Sequence, residues 1–317
     1  LYFLDGFNKK VRKLKKYNPS YQKELNNYSI NFLKTTCFLE MLLSDRDCKE
    51  IRDLFRKLFA HFIFSSKLIR RYYEKPQGYP GDYMMFEILY NNIPLSKGLG
   101  RYFDKFIIDH SLAGAVINRK NFMKSFLKKE IKLISSRKKM CITNIGCGPC
   151  REIRDLEKEN KITKNVVINL FDQDAKGLSF AKSKIRFVNK NIKFSFLNFE
   201  LLNLIGLGER RINIGDTKQN LIYSLGVIDY FRNNVLEHFI RFFINFLDVD
   251  GKLIIASCSS RNIEIYQALT WFSEWNFYKR DSRETYAFIK SQFPKLNIKI
   301  VWEKSKQMFF IIIQKKL

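Results

Sequence analysis

The stretch NIGCGPCREI, residues 144–153, decides the fold. Gly146 and Gly148 follow a short apolar run, CITNI (141–145), and precede an amphipathic one, REIRDLEKEN (151–160). A strand running into Gly-x-Gly and then a helix is a turn in which the backbone bends sharply and a ligand can approach without meeting a Cβ. The same ten residues also carry Cys147 and Cys150 at CxxC spacing, so a zinc half-site and a redox pair compete with a nucleotide loop.

Working outward separates these readings. Structural zinc needs four ligands and catalytic zinc three, yet the sequence has no second CxxC, and His61, His110 and His238 each stand alone. No metal is expected. A thioredoxin-type motif lacks the preceding Gly-x-Gly. Twenty-four positions after Gly148, Asp172 closes the next apolar run, NVVINLFD (165–172), where a carboxylate can take both hydroxyls of a ribose. A dinucleotide fingerprint wants Gly or Ala at its sixth position, which here is Arg151, and no Walker loop is present. S-adenosylmethionine (SAM) needs no pyrophosphate cradle and tolerates this loop.

The same texture continues to the C-terminus. AKGLSFAKSKIRFV (175–188) reads as a helix and IKFSFLN (192–198) as a strand. After the Gly-rich GLGERRINIGD (206–216) come a strand, NLIYSLG (220–226), and a long helix, NVLEHFIRFFINFL (234–247). DVDG (248–251) reads as a turn into the strand GKLIIAS (251–257), and a helix is expected near 282–291. Alternating strands and helices predict a parallel sheet covered on both faces. NIKIVWE (297–303) and QMFFIIIQKK (307–316) are joined too tightly to be parallel, so they must be antiparallel. The expected fold is α/β: a Rossmann-like class I methyltransferase sheet of seven strands, the last antiparallel, with an N-terminal helical region. We expect a helical substrate or lid region over 1–135 and the SAM-binding domain over 136–317. Within the former, NFLKTTCFLEMLL, IRDLFRKLFAHFIFSSKLIRRYY and INRKNFMKSFLKKEIKLI carry helical periodicity, and EKPQGYPGDYMMFEILYNN (74–92) interrupts them.

The chain holds 57 basic and 31 acidic residues in 317, a net charge of +26. Such a balance suits nucleic acid, an anionic membrane surface or acidic substrates. The cations are spread along the chain among abundant Asn, Ile and Phe, which is also what a compositional bias produces. Six cysteines without framework spacing read as reduced thiols of a cytoplasmic protein, and no apolar run approaches the ~18–20 residues of a membrane span. A start at Leu1 rather than Met leads us to expect further sequence upstream.

NIGCGPCREI, FDQDAKGL (171–178), IYSLGVIDYF (222–231) and EWNFYKR (274–280), with GYPGDYMMFEILY (78–90) upstream, resemble a bacterial subgroup of class I SAM-dependent methyltransferases. That subgroup includes enzymes making 3-hydroxypalmitic acid methyl ester, and the resemblance covers roughly residues 70–315. Cys150 departs from it, standing where the subgroup usually has a small residue such as Ala. The resemblance implies SAM as cofactor and methyl transfer to a small or lipid-like acceptor, most readily a carboxylate such as that of a 3-hydroxy fatty acid. An RNA methyltransferase using the basic surface and an inactive SAM-fold binding module are the alternatives. The SLGV stretch lacks the Asn/Asp-Pro-Pro-aromatic motif of nucleic-acid amino-methyltransferases, which counts against the RNA reading. Nothing in the sequence sets the oligomeric state.

Expected cofactor contacts are Asn144, Gly146, Cys147 and Gly148 at the methionine end, Asp172 at the ribose, and Gln173, Asn198 and Phe199 near adenine. Ser224, Leu225 and Gly226 are expected to border SAM. Asp229, Tyr230, Tyr79 and Arg280 are the catalytic-side candidates, and Tyr83, Asp82, Arg119 and Trp275 the substrate-side ones. For Asp229 the competing reading is the cap of the helix that follows. The two arginines could clamp a carboxylate or lie solvated on the surface.

Overall fold

The computed structural model describes residues 2–14, 16–134, 138–159, 162–187, 189–201, 218–261 and 266–315. The Gly-rich run 206–216 lies outside them. The chain divides into two compact units, Leu1–Gly114 with Asn262–Asn276, and Ala115–Arg261 with Phe277–Leu317.

The first unit is helical: α1 (Tyr2–Arg12), α2 (Pro19–Leu42), α3 (Asp45–Ile63), α4 (Lys67–Glu74), α5 (Tyr83–Asn91) and α6 (Gly98–Asp109). The run 51–73, whose apolar residues keep helical spacing throughout, spans parts of two helices, α3 and α4. Ser66 accepts the Ile69 N–H at 3.0 Å and its hydroxyl donates to the buried Asp104 carboxylate at 2.5 Å, starting α4 afresh. The interrupted stretch 74–92 is also partly helical, because Asp82 caps α5 from Met85 N–H at 3.0 Å. A later helix belongs to this unit as well. It runs over Gln267–Ser273, its Trp271 indole donates to Glu40 at 2.9 Å, and Arg56 donates to the Thr270 and Trp271 carbonyls. Trp271 and Phe272 are buried against Phe32 and Phe55, so these aromatics are core.

The second unit takes most of α7 (Ser111–Leu133) and then alternates: β1 (Met140–Ile145), α8 (Arg151–Lys158), β2 (Val166–Asp172), α9 (Ala175–Lys184), β3 (Ile192–Asn198), β4 (Gln219–Leu225). It continues through a 3-10 turn (Ile228–Tyr230) and α10 (Asn233–Ile244) to β5 (Leu247–Cys258). With Gln267–Ser273 counted as α11, the remaining elements are α12 (Ser282–Gln292), β6 (Asn297–Trp302) and β7 (Met308–Gln314). The strands form one sheet in the order β3-β2-β1-β4-β5-β7-β6. Pairs among β1 to β5 are parallel, while β7 is antiparallel to both β5 and β6. This is the Rossmann-like class I methyltransferase fold. All six residues of β1 are buried, as expected of a central strand covered on both faces.

DVDG departs from its reading as a turn. It lies inside β5, where the pairing with β4 shifts between Gln219 and Leu221 and Asp250 takes φ 61°. The chain absorbs the extra residues as an irregularity in a continuous strand. Among the described residues, no helix is long and apolar enough to cross a membrane.

Candidate active site

In an open α/β sheet the crevice lies beyond the carboxyl ends of the strands where their order reverses, here between β1 and β4. The loop after β1 is built by local constraints. Gly146 and Gly148 take φ +66° and +52°, a region that costs other residues energy. The Cys147 N–H bonds the Phe171 carbonyl at 2.9 Å, tying the loop to the end of β2, and the Cys150 N–H closes a turn on Cys147 O at 3.0 Å. Both thiols are buried, and burial pushes both up, away from a reactive thiolate. Among the described residues, no three His, Cys, Asp or Glu side chains are grouped to hold a metal.

The two glycines face different surroundings. A Cβ on Gly146 would lie 2.3 Å from Val227 Cγ2, whereas one on Gly148 would meet nothing within 4 Å. Gly146 is required by packing, and Gly148 borders open space. Gly146→Ala should therefore destabilise the protein by about 1–3 kcal/mol. Gly148→Ala should cost only about 1 kcal/mol, mostly from its left-handed backbone, yet should block any ligand lying on that face. Thermal melts paired with ligand titration read the two effects separately.

Asp172 meets this loop. Its Oδ2 accepts the Gly148 N–H at 2.7 Å and its Oδ1 the Asp174 N–H at 2.9 Å. Burial pushes its carboxyl above the usual carboxylate range. Asp174 caps α9 through the Lys176 N–H at 2.9 Å. Asn198 donates to the Asp172 and Gln173 carbonyls, both at 3.0 Å, and the Phe199 N–H bonds Asp172 O. The Asn198 amide thus stitches β3 to β2, leaving Gln173 exposed and Phe199 half-buried beside it.

The β4 side is equally braced. Ser224 is fully buried and donates to Ile145 O at 2.8 Å, so its hydroxyl ties β4 to β1. Leu225 and Gly226 are half-buried at the crevice. Gly226 takes φ 92°, and a Cβ there would lie 2.7 Å from Arg119 Nη1. Arg119, from α7, is buried, and its charge acts on both Asp229 and Glu152.

Asp229 does not cap α10. Its Oδ1 accepts the Ser257 hydroxyl and the Cys258 N–H, both at 2.9 Å, and burial pushes its carboxyl up. Arg280 is not solvated either. It donates to Asn233 Oδ1 at 2.6 Å and to the Phe231 carbonyl, which makes it a brace for the loop 228–233. Tyr230 is exposed. Tyr79, Asp82, Tyr83 and Trp275 belong to the first unit. There Asp82 is wholly buried, capping α5 and paired with Arg71 at 2.7 Å, while Trp275 packs edge-on against Tyr72. Tyr79 and Tyr83 are half-buried.

Glu152 and Tyr223 escape a reading by sequence. Glu152 Oε1 accepts the Tyr223 hydroxyl at 2.8 Å and Asn144 Nδ2 at 3.1 Å, and all three side chains are buried. The available signal is an acid in the first turn of α8, which reads equally well as a helix-dipole partner on the surface. Burial raises the Glu152 carboxyl, so the folded protein keeps its proton to a higher pH than the unfolded chain does. The stability it contributes is present below the unfolded value, about 4.3, and is lost as pH rises through the folded one. Glu152→Gln removes that loss, so its melting temperature should fall less than wild type between pH 5 and pH 8.

No described protein family matches the chain, and no curated protein does. Solved structures do. A possible exported protein from Bordetella parapertussis matches with a TM-score of 0.57 at 15% identity, over 75% of this chain and 80% of that one. Magnesium protoporphyrin IX methyltransferase from Synechocystis, with bound SAH, matches at 0.45 and 9% identity, over 65% and 87%. The pyocyanin biosynthetic protein PhzM matches at 0.45 and 11%, over 74% and 62%. At these identities the likeness is one of fold.

Proposed function

We propose that the chain is a SAM-dependent methyltransferase acting on a small or lipid-like acceptor. One observation carries the reading: the open-faced glycine loop and the β2 carboxylate meet at the switch point, Gly148 N–H on Asp172 at 2.7 Å. The residues present fit the cofactor. Among the described residues, a Cβ on Gly148 would meet nothing within 4 Å, and the buried Asn144 Oδ1 has no hydrogen-bond partner.

In this reading Asp172 holds the ribose, Gln173 and Phe199 flank the adenine, and Gly146 to Gly148 line the methionine end. Arg119, buried beside Gly226, supplies the cation for the methionine carboxylate. SAM, when bound, supplies an electrophilic methyl group on sulfonium. The protein's own task is to hold donor and acceptor in line and to exclude water. A carboxylate acceptor is already ionised at neutral pH and needs no base. That suits Asp229, whose carboxylate already accepts from Ser257 and Cys258. Arg280 positions the loop carrying Asp229 and Tyr230 rather than clamping substrate. A 3-hydroxy fatty acid is the acceptor we put first.

Calorimetry with SAM tests the cofactor. Transfer of label from SAM to a cell extract, with mass spectrometry of the product, tests the acceptor. Absence of SAM binding overturns the reading, and a labelled RNA rather than a labelled ester overturns the acceptor class.

A further inference from the structure

The net charge of +26 is not evenly used. On the α7–α8 side of the second unit the cations are matched: Lys120 with Asp155 at 2.7 Å, Lys124 with Glu159 at 3.0 Å, Lys252 with Glu130 at 2.6 Å. At the β3 edge of the sheet they are not. From residue 175 through 199 the sequence has six basic residues and no acidic one. Lys176, Lys182, Lys184, Arg186, Lys190 and Lys193 are all exposed, and none forms an ion pair among the described residues.

A large apolar group follows α9 in this run, between Arg186 and Lys190 along the chain. Phe187 is 51% exposed, and it adopts φ 52°, a left-handed conformation unfavourable for a bulky side chain. Its surroundings hold it there. Arg186 N–H bonds the Glu157 carboxylate at 3.0 Å, and Asn189 and Asn191 both donate to Ile162 O at 3.0 Å. Phe194 and Phe196 support the ring from the strand at 5.6 and 6.5 Å. Edge-strand lysines by themselves guard a sheet against pairing with another chain. They do not account for an apolar ring projecting among them.

We infer that the α9–β3 edge is a docking surface for a bilayer carrying anionic headgroups, with Phe187 as the inserting group and the lysines around it contacting lipid phosphates. Charge complementarity selects an anionic partner. The rings select the bilayer over a single-stranded nucleic acid, which needs successive open ring faces to stack on. Here the Lys182 and Lys184 amines lie over the Phe196 and Phe180 rings at 5.9 and 5.5 Å, and Phe194 and Phe196 pack against the core. Only Phe187 in this cluster is broadly exposed. This inference stands whether or not the site at Gly148 binds SAM.

Vesicle flotation of the full chain tests it, using phosphatidylcholine alone and with about 30% phosphatidylglycerol. The chain should float only with the anionic vesicles and should be released at about 0.5 M salt. Lys182→Glu with Lys184→Glu and Lys190→Glu should weaken partitioning by well over tenfold, since each cation contributes roughly fivefold. Phe187→Ala should weaken it about fivefold. Lys295→Glu with Lys299→Glu and Lys304→Glu makes the same change in net charge near the opposite edge strand, β6, and should weaken it far less. Equal loss in both triple variants, equal binding to neutral vesicles, or full displacement of the protein from vesicles by poly-U would each overturn the inference. Melting curves confirm folding, and the salt series and Phe187→Ala keep the test decisive if the first triple variant unfolds.

Discussion

Asp172→Ala is expected to lower SAM affinity by about 100-fold or more. A carboxylate accepting two ribose hydroxyls makes charge-assisted bonds worth about 1.5–3 kcal/mol each, and a tenfold change in affinity is about 1.4 kcal/mol. The same substitution strips the acceptors from Gly148 N–H and Asp174 N–H, so the loop loses its anchor where the proposed function places SAM. Asp172→Asn separates these effects. It keeps the volume and one acceptor oxygen but turns its NH2 toward one of the two N–H donors, so it should cost less stability than Ala while still losing at least tenfold in affinity. Calorimetry with SAM, beside thermal melts, gives both quantities. Unchanged affinity in the Ala variant would remove Asp172 from the site.

Asp82→Ala is expected to destabilise the first unit by about 2–4 kcal/mol. The side chain is fully buried, and its loss leaves the Arg71 guanidinium without its carboxylate at 2.7 Å and α5 without its cap. The substitution removes a charge-assisted bond and a cap together, while Arg71, a quarter exposed, keeps part of its hydration. Asp82→Asn retains the capping oxygen and should cost less by about 1 kcal/mol. Denaturant titration measures both. The resemblance of GYPGDY to a methyltransferase subgroup implies that this stretch covers SAM or the substrate, with Asp82 a substrate-side candidate. That role would instead appear as a raised KM with an unchanged melting temperature.

The difference between these two aspartates shows where sequence reading reaches. The position of Asp172 is legible because a strand, a Gly-x-Gly turn and a second strand follow one another between Met140 and Asp172, and each obeys a short-range rule. Asp82 is legible only as a loop residue. Its partner, Arg71, lies eleven positions away on another helix, and the choice between a ligand and an ion pair depends on what is packed against it. Arg280 and Arg119 fail to be legible for the same reason. An arginine within or just before a helix looks alike whether it is solvated, braces the Phe231 carbonyl or passes over Gly226. Asn198 and Ser224 sit where the strand pattern puts them, yet their polar atoms bond backbone rather than open space. The run 51–73 keeps helical spacing because Phe, Leu and Ile continue through it; the Ser66–Asp104 contact that divides it spans 38 positions.

By itself the sequence determined the alternating sheet, the glycine turn after β1, the acid closing β2 and the antiparallel pairing of the last two strands. Periodicity, left-handed backbone and connection length are properties of neighbours along the chain. Only the tertiary structure decided that β7 inserts between β5 and β6, that Asn144, Glu152 and Tyr223 join through hydrogen bonds, and that Phe187 stays exposed with Phe194 and Phe196 beside it. Tyr223 and Glu152 are 71 positions apart. Contacts at that separation exist only because burying apolar surface brings the elements together, and no local rule encodes which polar groups then meet.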